Sequence, residues 1–273
     1  MLNIYSIHNI ALQPGDGRNL RYALQPTDVY DNDPFIIMAD DKFTHDTFAD
    51  HPHKGIQTVT YVLEGSLTHY DSKTAGGGRL NEGDFQIMTA ASGIIHNENP
   101  DRGKEVRVLQ LWVNLSSLHK KLPGQYEDLP KEKVPIFHFD GGQIEVLAGE
   151  VDGVASLLTL FTSSQYAAVT LEDGQYPFPI PAGYNTYLYV VEGHPTVNGQ
   201  QLNTFDMVHF EISETANTIE LTAGEHAKVV IFVGLPIQES IVAQGPFVMN
   251  TQEEIQEAFS SYRNGTFLNG KPY

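Results

Sequence analysis

Residues 61–65, Tyr-Val-Leu-Glu-Gly, recur almost unchanged as Tyr-Val-Val-Glu-Gly at residues 189–193. Downstream of each copy an aspartate opens another apolar segment, Asp84 in the first case and Asp206 in the second. Two matching features, in the same order and at nearly the same spacing, indicate an internal duplication rather than chance. The sequence therefore predicts two related domains in tandem.

The segments around both copies have the composition of β-strands. They are short, rich in Val, Ile, Thr, Tyr and Phe, and bounded by turn residues, as in residues 57–63, 85–89 and 187–191. The dipeptide Asn198-Gly199 predicts a type I′ hairpin, because both central residues of that turn need positive φ. The predicted fold class is all-β.

The C-terminal segment predicts one α-helix. Residues 251–254, Thr-Gln-Glu-Glu, form a capping box, and apolar residues follow at positions 255, 258, 259 and 262. Asn264-Gly265 ends the pattern. We expect a helix over about 252–264 that covers a β domain.

Charge and composition exclude several classes of protein. The 273-residue chain has 34 acidic and 16 basic residues and a formal net charge of −18, so direct nucleic-acid binding is not expected. It has no cysteine, which excludes disulfides, thiolate nucleophiles and iron–sulfur clusters. No apolar run reaches membrane-spanning length and no export signal is recognisable, so we expect a cytoplasmic protein without membrane contact. A monomer is expected because one chain can satisfy both sheet faces.

Four candidate metal ligands stand in two short motifs, His51-Pro52-His53 and His96-Asn97-Glu98. Alternate residues of a strand point to the same face, so each motif presents two ligand groups together. Two such strands side by side would join three imidazoles and one carboxylate. This donor set suits iron, manganese, nickel, copper or zinc, and suits calcium or magnesium poorly. His69 is expected to be a neighbour rather than a ligand.

The second copy lacks these ligands. Pro179-Ile180-Pro181 occupies the place of His51-Pro52-His53, and residues 214–221, where the second motif should fall, contain no histidine. His209-Phe210-Glu211 has the same His-x-Glu pattern as His96-Asn97-Glu98. It aligns with a different segment of the first copy, so it is not the equivalent motif. A metal site is therefore predicted in the first domain alone.

Six segments, in chain order, carry a family resemblance: His51-Pro52-His53-Lys54-Gly55, Thr58-Val59-Thr60-Tyr61, Met88-Thr89-Ala90, Gly93-Ile94-Ile95-His96-Asn97-Glu98, Leu109-Gln110-Leu111-Trp112-Val113-Asn114 and Gly245-Pro246-Phe247-Val248-Met249-Asn250. The series resembles the pirin family of bicupins. The resemblance implies two tandem jelly-roll (cupin) domains, over residues 1–130 and 131–235, and a tail of residues 236–273 that packs back on them. It also implies one metal ion in the first domain, with His51, His53, His96 and Glu98 as its ligands.

The resemblance also implies a function. Several pirins are similar in activity to flavonol 2,3-dioxygenases (quercetinases), which open the heterocyclic ring of quercetin and release carbon monoxide. By this analogy the chain would be an oxidoreductase with a flavonol and dioxygen as substrates and Fe(II) as its cofactor, with Mn, Ni, Cu, Co or Zn as alternatives. Glu98 would be the catalytic residue, shifting from ligand to base or hydrogen-bond partner. The alternative is a metal-containing regulatory protein, a transcriptional coregulator or the partner of a metabolic enzyme.

Two positions depart from the family pattern. Gln57 stands where many pirins carry a glutamate, which leaves Glu98 as the expected carboxylate ligand. Lys54 stands where arginine is common, so the positive charge is kept but the planar fork of the guanidinium is lost.

The pocket wall can be predicted only by strand alternation. Counting from His53 along an unbroken strand puts Gln57, Val59 and Tyr61 on the ligand-bearing face, where they would line the pocket or hold a ligand in place. Trp112, set in an apolar strand, is expected in the core rather than against a substrate.

Overall fold

The computed structural model describes residues 1–73 and 77–268, which fold mainly into β-strands. The strands of the first half are β1 (Ile4–Asn9), β2 (Gln13–Gly15), β3 (Arg18–Leu24), β4 (Phe35–Thr44), β5 (His51–His53), β6 (Ile56–Glu64), β7 (Ser66–Asp71), β8 (Arg79–Asn81), β9 (Phe85–Thr89), β10 (Ile94–Pro100), β11 (Glu105–Asn114) and β12 (Gln125–Leu129). Those of the second half are β13 (Ile136–Phe139), β14 (Gly142–Ala148), β15 (Glu150–Val151), β16 (Val154–Ala155), β17 (Ser164–Leu171), β18 (Gly174–Ile180), β19 (Asn185–Glu192), β20 (Thr196–Val197), β21 (Gln200–Gln201), β22 (Asp206–Phe210), β23 (Asn217–Ala223), β24 (Ala227–Gly234), β25 (Val242–Gln244) and β26 (Phe247–Met249). The described helices are α1 (Gln252–Arg263) and two 3-10 turns, His119–Lys121 and Lys131–Lys133. The predicted all-β class with a C-terminal helix is confirmed.

The chain divides into two compact units. The first-repeat unit joins Leu12–Lys131 to Ile237–Tyr273, of which residues 269–273 lie outside the described part, and the second-repeat unit joins Met1–Ala11 to Glu132–Pro236. The first eleven residues fall in the second-repeat unit. The reason is that β1 pairs antiparallel with β22.

Both units have the same sheet plan. Each has a seven-stranded antiparallel sheet, in the order β12-β9-β6-β11-β4-β3-β2 in the first-repeat unit and β1-β22-β19-β24-β17-β14-β13 in the second. Each also has a four-stranded sheet, β5-β10-β7-β8 or β18-β23-β20-β21. The two copies of the repeated pentapeptide end β6 and β19, which hold the same place in the two large sheets. The duplicated sequence therefore corresponds to a duplicated jelly roll.

Apolar side chains fill the small sheet of the second-repeat unit. Phe178 of β18 lies opposite Ile219 of β23, and both are fully buried in the core of this unit together with Leu221. The strands β5 and β10, which carry the histidine motifs, take the equivalent places in the small sheet of the first-repeat unit. Within the described residues, the side-chain groups able to hold a metal ion all lie in that first-repeat unit.

Two local sequence signals are confirmed. Asn198 and Gly199 join β20 to β21 with φ angles of 51° and 80°, as the predicted type I′ hairpin requires. The helix α1 begins after Thr251, whose side chain accepts a hydrogen bond from the backbone of Glu254, and the Glu254 side chain accepts one from the backbone of Thr251. Among the described residues there is no helix with the length and apolarity to cross a membrane.

The C-terminal tail packs on the first-repeat unit through an apolar cluster. Ile255 and Ala258 of α1 are fully buried there with Phe247 of β26. The same cluster contains Ile95 of β10, the residue before His96. The tail therefore covers the outer side of a strand that carries candidate metal ligands.

Lys120 fastens the tail to this unit. Its Nζ donates hydrogen bonds to the backbone oxygens of Gly55 and Val248, each at 2.8 Å, and to Oδ1 of Asn114 at 2.6 Å. Burial lowers the pKa of Lys120 to about 7. Three acceptors match the three N–H groups of an ammonium, so the hydrogen bonds favour the charged form.

Replacing Lys120 by methionine is expected to lower the free energy of unfolding by about 2–5 kcal/mol, because three buried oxygens lose their donor. Urea unfolding measures the change. Lys121→Met is the matched control, since Lys121 is the adjacent lysine and is exposed. Equal effects of the two substitutions would contradict the assigned role of Lys120.

Candidate metal centre

The two histidine motifs lie on neighbouring antiparallel strands. In the pairing of β5 with β10, His51 stands opposite His96 and His53 opposite Ile94. The ring centroid of His51 is 4.4 Å from that of His96 and 5.0 Å from that of His53, and the His53 and His96 centroids are 5.0 Å apart. The candidate ligand atoms of the three rings lie within 4.8 Å of one another. The structure thus brings the three predicted histidines together.

Glu98 lies beside this group, two residues after His96 on β10. Its carboxylate, His96 and His69 form a second group whose candidate ligand atoms lie within 4.8 Å of one another. All three side chains of this second group are buried. His96 belongs to both groups, so the four predicted ligands form one cluster, and His69 adjoins it.

Side-chain amides hold the Glu98 carboxylate in place. Gln110 Nε2 donates to Oε2 at 2.9 Å, whereas Oε1 accepts hydrogen bonds from Gln86 and, at 3.4 Å, from Thr60. Trp112 Nε1 donates to Oε1 of Gln110 at 3.2 Å, which turns the Gln110 amide nitrogen toward Glu98. Oε2 therefore has fewer hydrogen-bond partners than Oε1.

His69 links Glu98 to Asp71. It stands opposite Glu98 in the pairing of β7 with β10, with Nδ1 3.6 Å from Oε1 of Glu98 and Nε2 3.3 Å from Oδ2 of Asp71. Burial raises the pKa of Glu98, but the neighbouring His69, followed by the charge of His51 and the hydrogen bond from Gln86, brings that pKa below its usual value. Burial lowers the pKa of His69, but Asp71 and Glu98 raise it above its usual value. Glu98 is therefore ionised at neutral pH.

His69 has a larger role at the site than the sequence predicts. The residue is a neighbour of the predicted ligands, as expected, but it is fully buried, stacks on Tyr126 at a centroid distance of 4.4 Å and contacts Glu98. The available signal is the spacing of His69 and Asp71, which matches that of the two ligand motifs. Only the strand register shows that this pair meets Glu98.

Backbone carbonyls orient two of the rings. Nδ1 of His51 lies 2.8 Å from the oxygen of Ala49, and Nδ1 of His53 lies 3.3 Å from the oxygen of Pro246. Each Nδ1 donates its proton to its carbonyl, which leaves the lone pair on Nε2 for a metal ion. Burial lowers the pKa of His53 to about 3, so this ring is neutral, the form that binds metal.

The third ring, that of His96, differs from the other two in its hydrogen bonding. Both ring nitrogens of His96 are buried without one in the described residues. Burial, followed by the neighbouring His51, lowers the pKa of His96 well below its usual value, so protonation does not compensate. A divalent cation between the rings would satisfy one of these nitrogens. Three imidazoles and one carboxylate are a donor set for a transition metal, and the residues present therefore fit such an ion.

The cluster opens into a pocket of about 300 Å³, the size of a small-molecule site. The pocket is lined by Arg18, Tyr22, Ile37, Ala39, Asp41, Phe43, Phe48, His51, His53, Glu98, Val108, Gln110, Trp112, Gly245 and Pro246. Placing Trp112 only in the core is wrong, because its ring is half-buried in this wall with its centroid 4.8 Å from that of His53. An apolar strand context does not reveal which face of a strand meets a cavity.

The three residues predicted to share the ligand face, Gln57, Val59 and Tyr61, lie on the opposite face of β6. Thr60 donates to Glu98, so the adjacent Val59 and Tyr61 point away from the cluster. Gln57 is fully buried on their side and donates to a threonine hydroxyl of β9 at 2.9 Å. This part of the sequence prediction is wrong.

The alternation fails at Gly55. This residue has a φ of +86°, and a Cβ there would lie 1.8 Å from the backbone oxygen of Val248. The chain turns at this point, and β5 and β6 belong to different sheets. The face that carries His53 therefore does not continue into β6.

Two jelly rolls, one of which contains a cluster of three histidines and one carboxylate, define a two-domain cupin with a candidate metal centre in one domain. The family model for pirin matches residues 13–113, and the model for the pirin C-terminal cupin domain matches residues 166–268. The chain belongs to the pirin family, and the resemblance seen in the sequence is confirmed.

Individual relatives cover most of the chain. A pirin-like protein of Solanum lycopersicum is 34% identical over 259 residues, which span 93% of this chain and 89% of the relative. The structure of a quercetin 2,3-dioxygenase from Acinetobacter baumannii is similar with a TM-score of 0.89 and 29% identity, covering 98% of each chain. The bacterial pirin YhhW from Escherichia coli, in complex with nickel(II), is similar with a TM-score of 0.68 and 25% identity over 85% of this chain and all of that chain.

His96→Ala is expected to abolish the binding of one nickel(II) per chain, because His96 lies between the other ligand groups. Equilibrium dialysis followed by elemental analysis measures the stoichiometry. His138→Ala removes an exposed histidine of the second-repeat unit and should leave one ion bound. One tightly held ion in the His96 variant would place the metal elsewhere.

His69→Ala is expected to weaken nickel(II) affinity by roughly 10- to 100-fold, because Glu98 loses the partner that keeps it ionised and oriented. Competition with a chelator of known affinity gives the dissociation constant. Tyr70→Phe alters the exposed neighbour and serves as the control. An unchanged constant in the His69 variant would show that Glu98 does not need this contact.

Proposed function

We propose that this protein is a mononuclear non-haem iron dioxygenase that opens flavonols such as quercetin. The observation that carries the proposal is the cluster of His51, His53, His96 and Glu98, of which His51, His53 and Glu98 line a small-molecule pocket. The likeness to a quercetin 2,3-dioxygenase over 98% of the chain supports the same substrate class.

The three histidines and Glu98 would hold Fe(II). Bound there, iron would supply the dioxygen chemistry that protein side chains lack. Nickel(II) bound to the related bacterial pirin supports a divalent transition metal in this family without fixing which one this chain uses.

The chain itself would bind and orient the flat substrate. Trp112 and Phe48 line the pocket at the histidine cluster, with Phe48 at a centroid distance of 5.9 Å from His51. Aromatic walls favour planar aromatic ligands, which bury large apolar surfaces against them. They also exclude water from the face of the bound ring.

Glu98 would shift from metal ligand to base and take the proton of the flavonol 3-hydroxyl. Its carboxylate is ionised, lines the pocket and is oriented by Gln110 and Gln86. Oε2 is the accepting atom, because Oε1 is already occupied by more donors. A fixed base at hydrogen-bond distance from a reacting hydroxyl typically contributes 10²–10⁴-fold to a rate, by a general range for acid–base catalysis.

Protein loaded with Fe(II) under nitrogen is expected to consume oxygen when quercetin and air are added, as an oxygen electrode records. His51→Ala and Glu98→Ala should each reduce the rate by at least roughly 100-fold, through loss of the metal or of the base. His138→Ala should leave the rate unchanged. Turnover that survives His51→Ala would move the chemistry to another part of the molecule.

The same experiment separates catalysis from metal binding alone. Bound iron without oxygen uptake for any flavonol would exclude the dioxygenase function. The metal centre would then remain as part of a protein that acts through an interaction surface.

A further inference from the structure

An ion pair that neither the metal cluster nor the proposed base uses lies in the same pocket wall. Arg18 Nε is 3.0 Å from both carboxylate oxygens of Asp41, and Arg18 Nη2 is 2.6 Å from Oδ2. The Asp41 side chain is 6% exposed and that of Arg18 is 32% exposed. Both residues line the pocket, so a charged and hydrogen-bonding surface faces whatever enters it.

This pair is held rigidly. The guanidinium carbon of Arg18 lies 4.8 Å from the ring centroid of Phe48, which packs in turn against Phe43 at a centroid distance of 4.9 Å. The stacking and the two-pronged hydrogen bond leave the guanidinium little freedom. A group fixed before the ligand arrives loses little entropy on binding.

The pair lies one step along the sheet from the candidate base. On β11, Gln110 contacts Glu98, and Val108, two residues away, stands opposite Asp41 on β4. Two residues of a strand span roughly 7 Å. A ligand of two or three joined rings can therefore reach Asp41 while its other end meets Glu98.

The chemistry of the pair favours neutral hydroxyl groups. An ionised carboxylate offers about four acceptor positions, so Arg18 leaves Asp41 room for one more donor. A ligand carboxylate would be attracted by Arg18 but repelled by Asp41, and would gain little. A phenolic hydroxyl can donate to Asp41 and accept from Arg18, so it suits both members.

We propose that Arg18 and Asp41 determine specificity by binding the phenolic hydroxyls of a flavonol that lie remote from its 3-hydroxyl. This inference rests on the proposed function for the orientation of the ligand. It assigns the substrate class more narrowly, to polyhydroxylated flavonols rather than to flavonols in general or to aromatic acids.

Two probes separate the remote hydroxyls from the rest of the ligand. Quercetin has them, whereas 3-hydroxyflavone keeps only the carbonyl and the 3-hydroxyl. Affinity is measured under nitrogen on iron-loaded protein, from the fluorescence of Trp112, which is the only tryptophan of the chain and lines the pocket. Without oxygen no turnover occurs, so the measurement reports binding alone.

Asp41→Asn is expected to weaken quercetin binding by roughly 10-fold or more and to leave 3-hydroxyflavone binding unchanged. Arg18→Lys, which keeps the charge but loses the fork, should show the same selectivity. Equal losses for the two ligands, or no loss for either, would overturn the proposal.

Asp40→Asn is the matched control. Asp40 is the adjacent residue on the same strand, is equally buried, and forms a two-pronged pair with Arg107 at 2.8 Å for each hydrogen bond, away from the pocket lining. Asp40→Asn would cause the same general loosening of the sheet, if there is any. It should not weaken quercetin binding more than 3-hydroxyflavone binding. If Asp40→Asn also weakened quercetin binding selectively, the proposed role of Asp41 would be overturned.

Oxygen uptake, measured separately, distinguishes this inference from the proposed function. Selective binding without oxygen uptake would leave the hydroxyl site in place and exclude the dioxygenase. Conversely, the unsubstituted protein could consume oxygen while the Arg18 and Asp41 variants lose affinity equally for both ligands. That result would support the dioxygenase and exclude the hydroxyl site.

Discussion

The antiparallel pairing of β5 with β10 is the constraint on which the site depends. It places His51 opposite His96, and the period-two geometry of each strand then brings His53 and Glu98 to the same cluster. A slip of one residue in this register would turn a whole motif to the other face of the sheet. The tail helps to fix the register, because Ile95 of β10 is buried in its apolar cluster.

The two repeats differ in the residues that line their small sheets. In the first, the Glu98 carboxylate needs amide donors and His69 to remain ionised away from water. In the second, the equivalent small sheet contributes Phe178 and Ile219 to an ordinary core. One copy of the jelly roll therefore carries chemically demanding residues, while the other is filled by aliphatic and aromatic packing.

Much of this could be predicted from sequence because the deciding signals are local. The repeated pentapeptide, the capping box of the helix and the two ligand motifs are each written in short runs of residues that can be recognised without knowing how the chain folds. The contacts that complete the site join distant segments: His69 reaches Glu98 through strand register, and Pro246 reaches His53 from the tail. The prediction for the pocket wall is wrong because Gly55, with its positive φ, ends the alternation of side chains between β5 and β6. The prediction for Trp112 is wrong because the composition of a strand does not show which of its faces meets a cavity.

The contact between His53 and Pro246 spans 193 positions of the chain, and the whole second-repeat unit except its first strand lies between them. A ribosome makes the ligand-bearing strands early and the carbonyl that orients His53 only after that intervening domain. During synthesis the four candidate ligands are therefore made before the carbonyl that contacts His53. The orientation of His53 by this carbonyl therefore requires the tail as well as the first jelly roll.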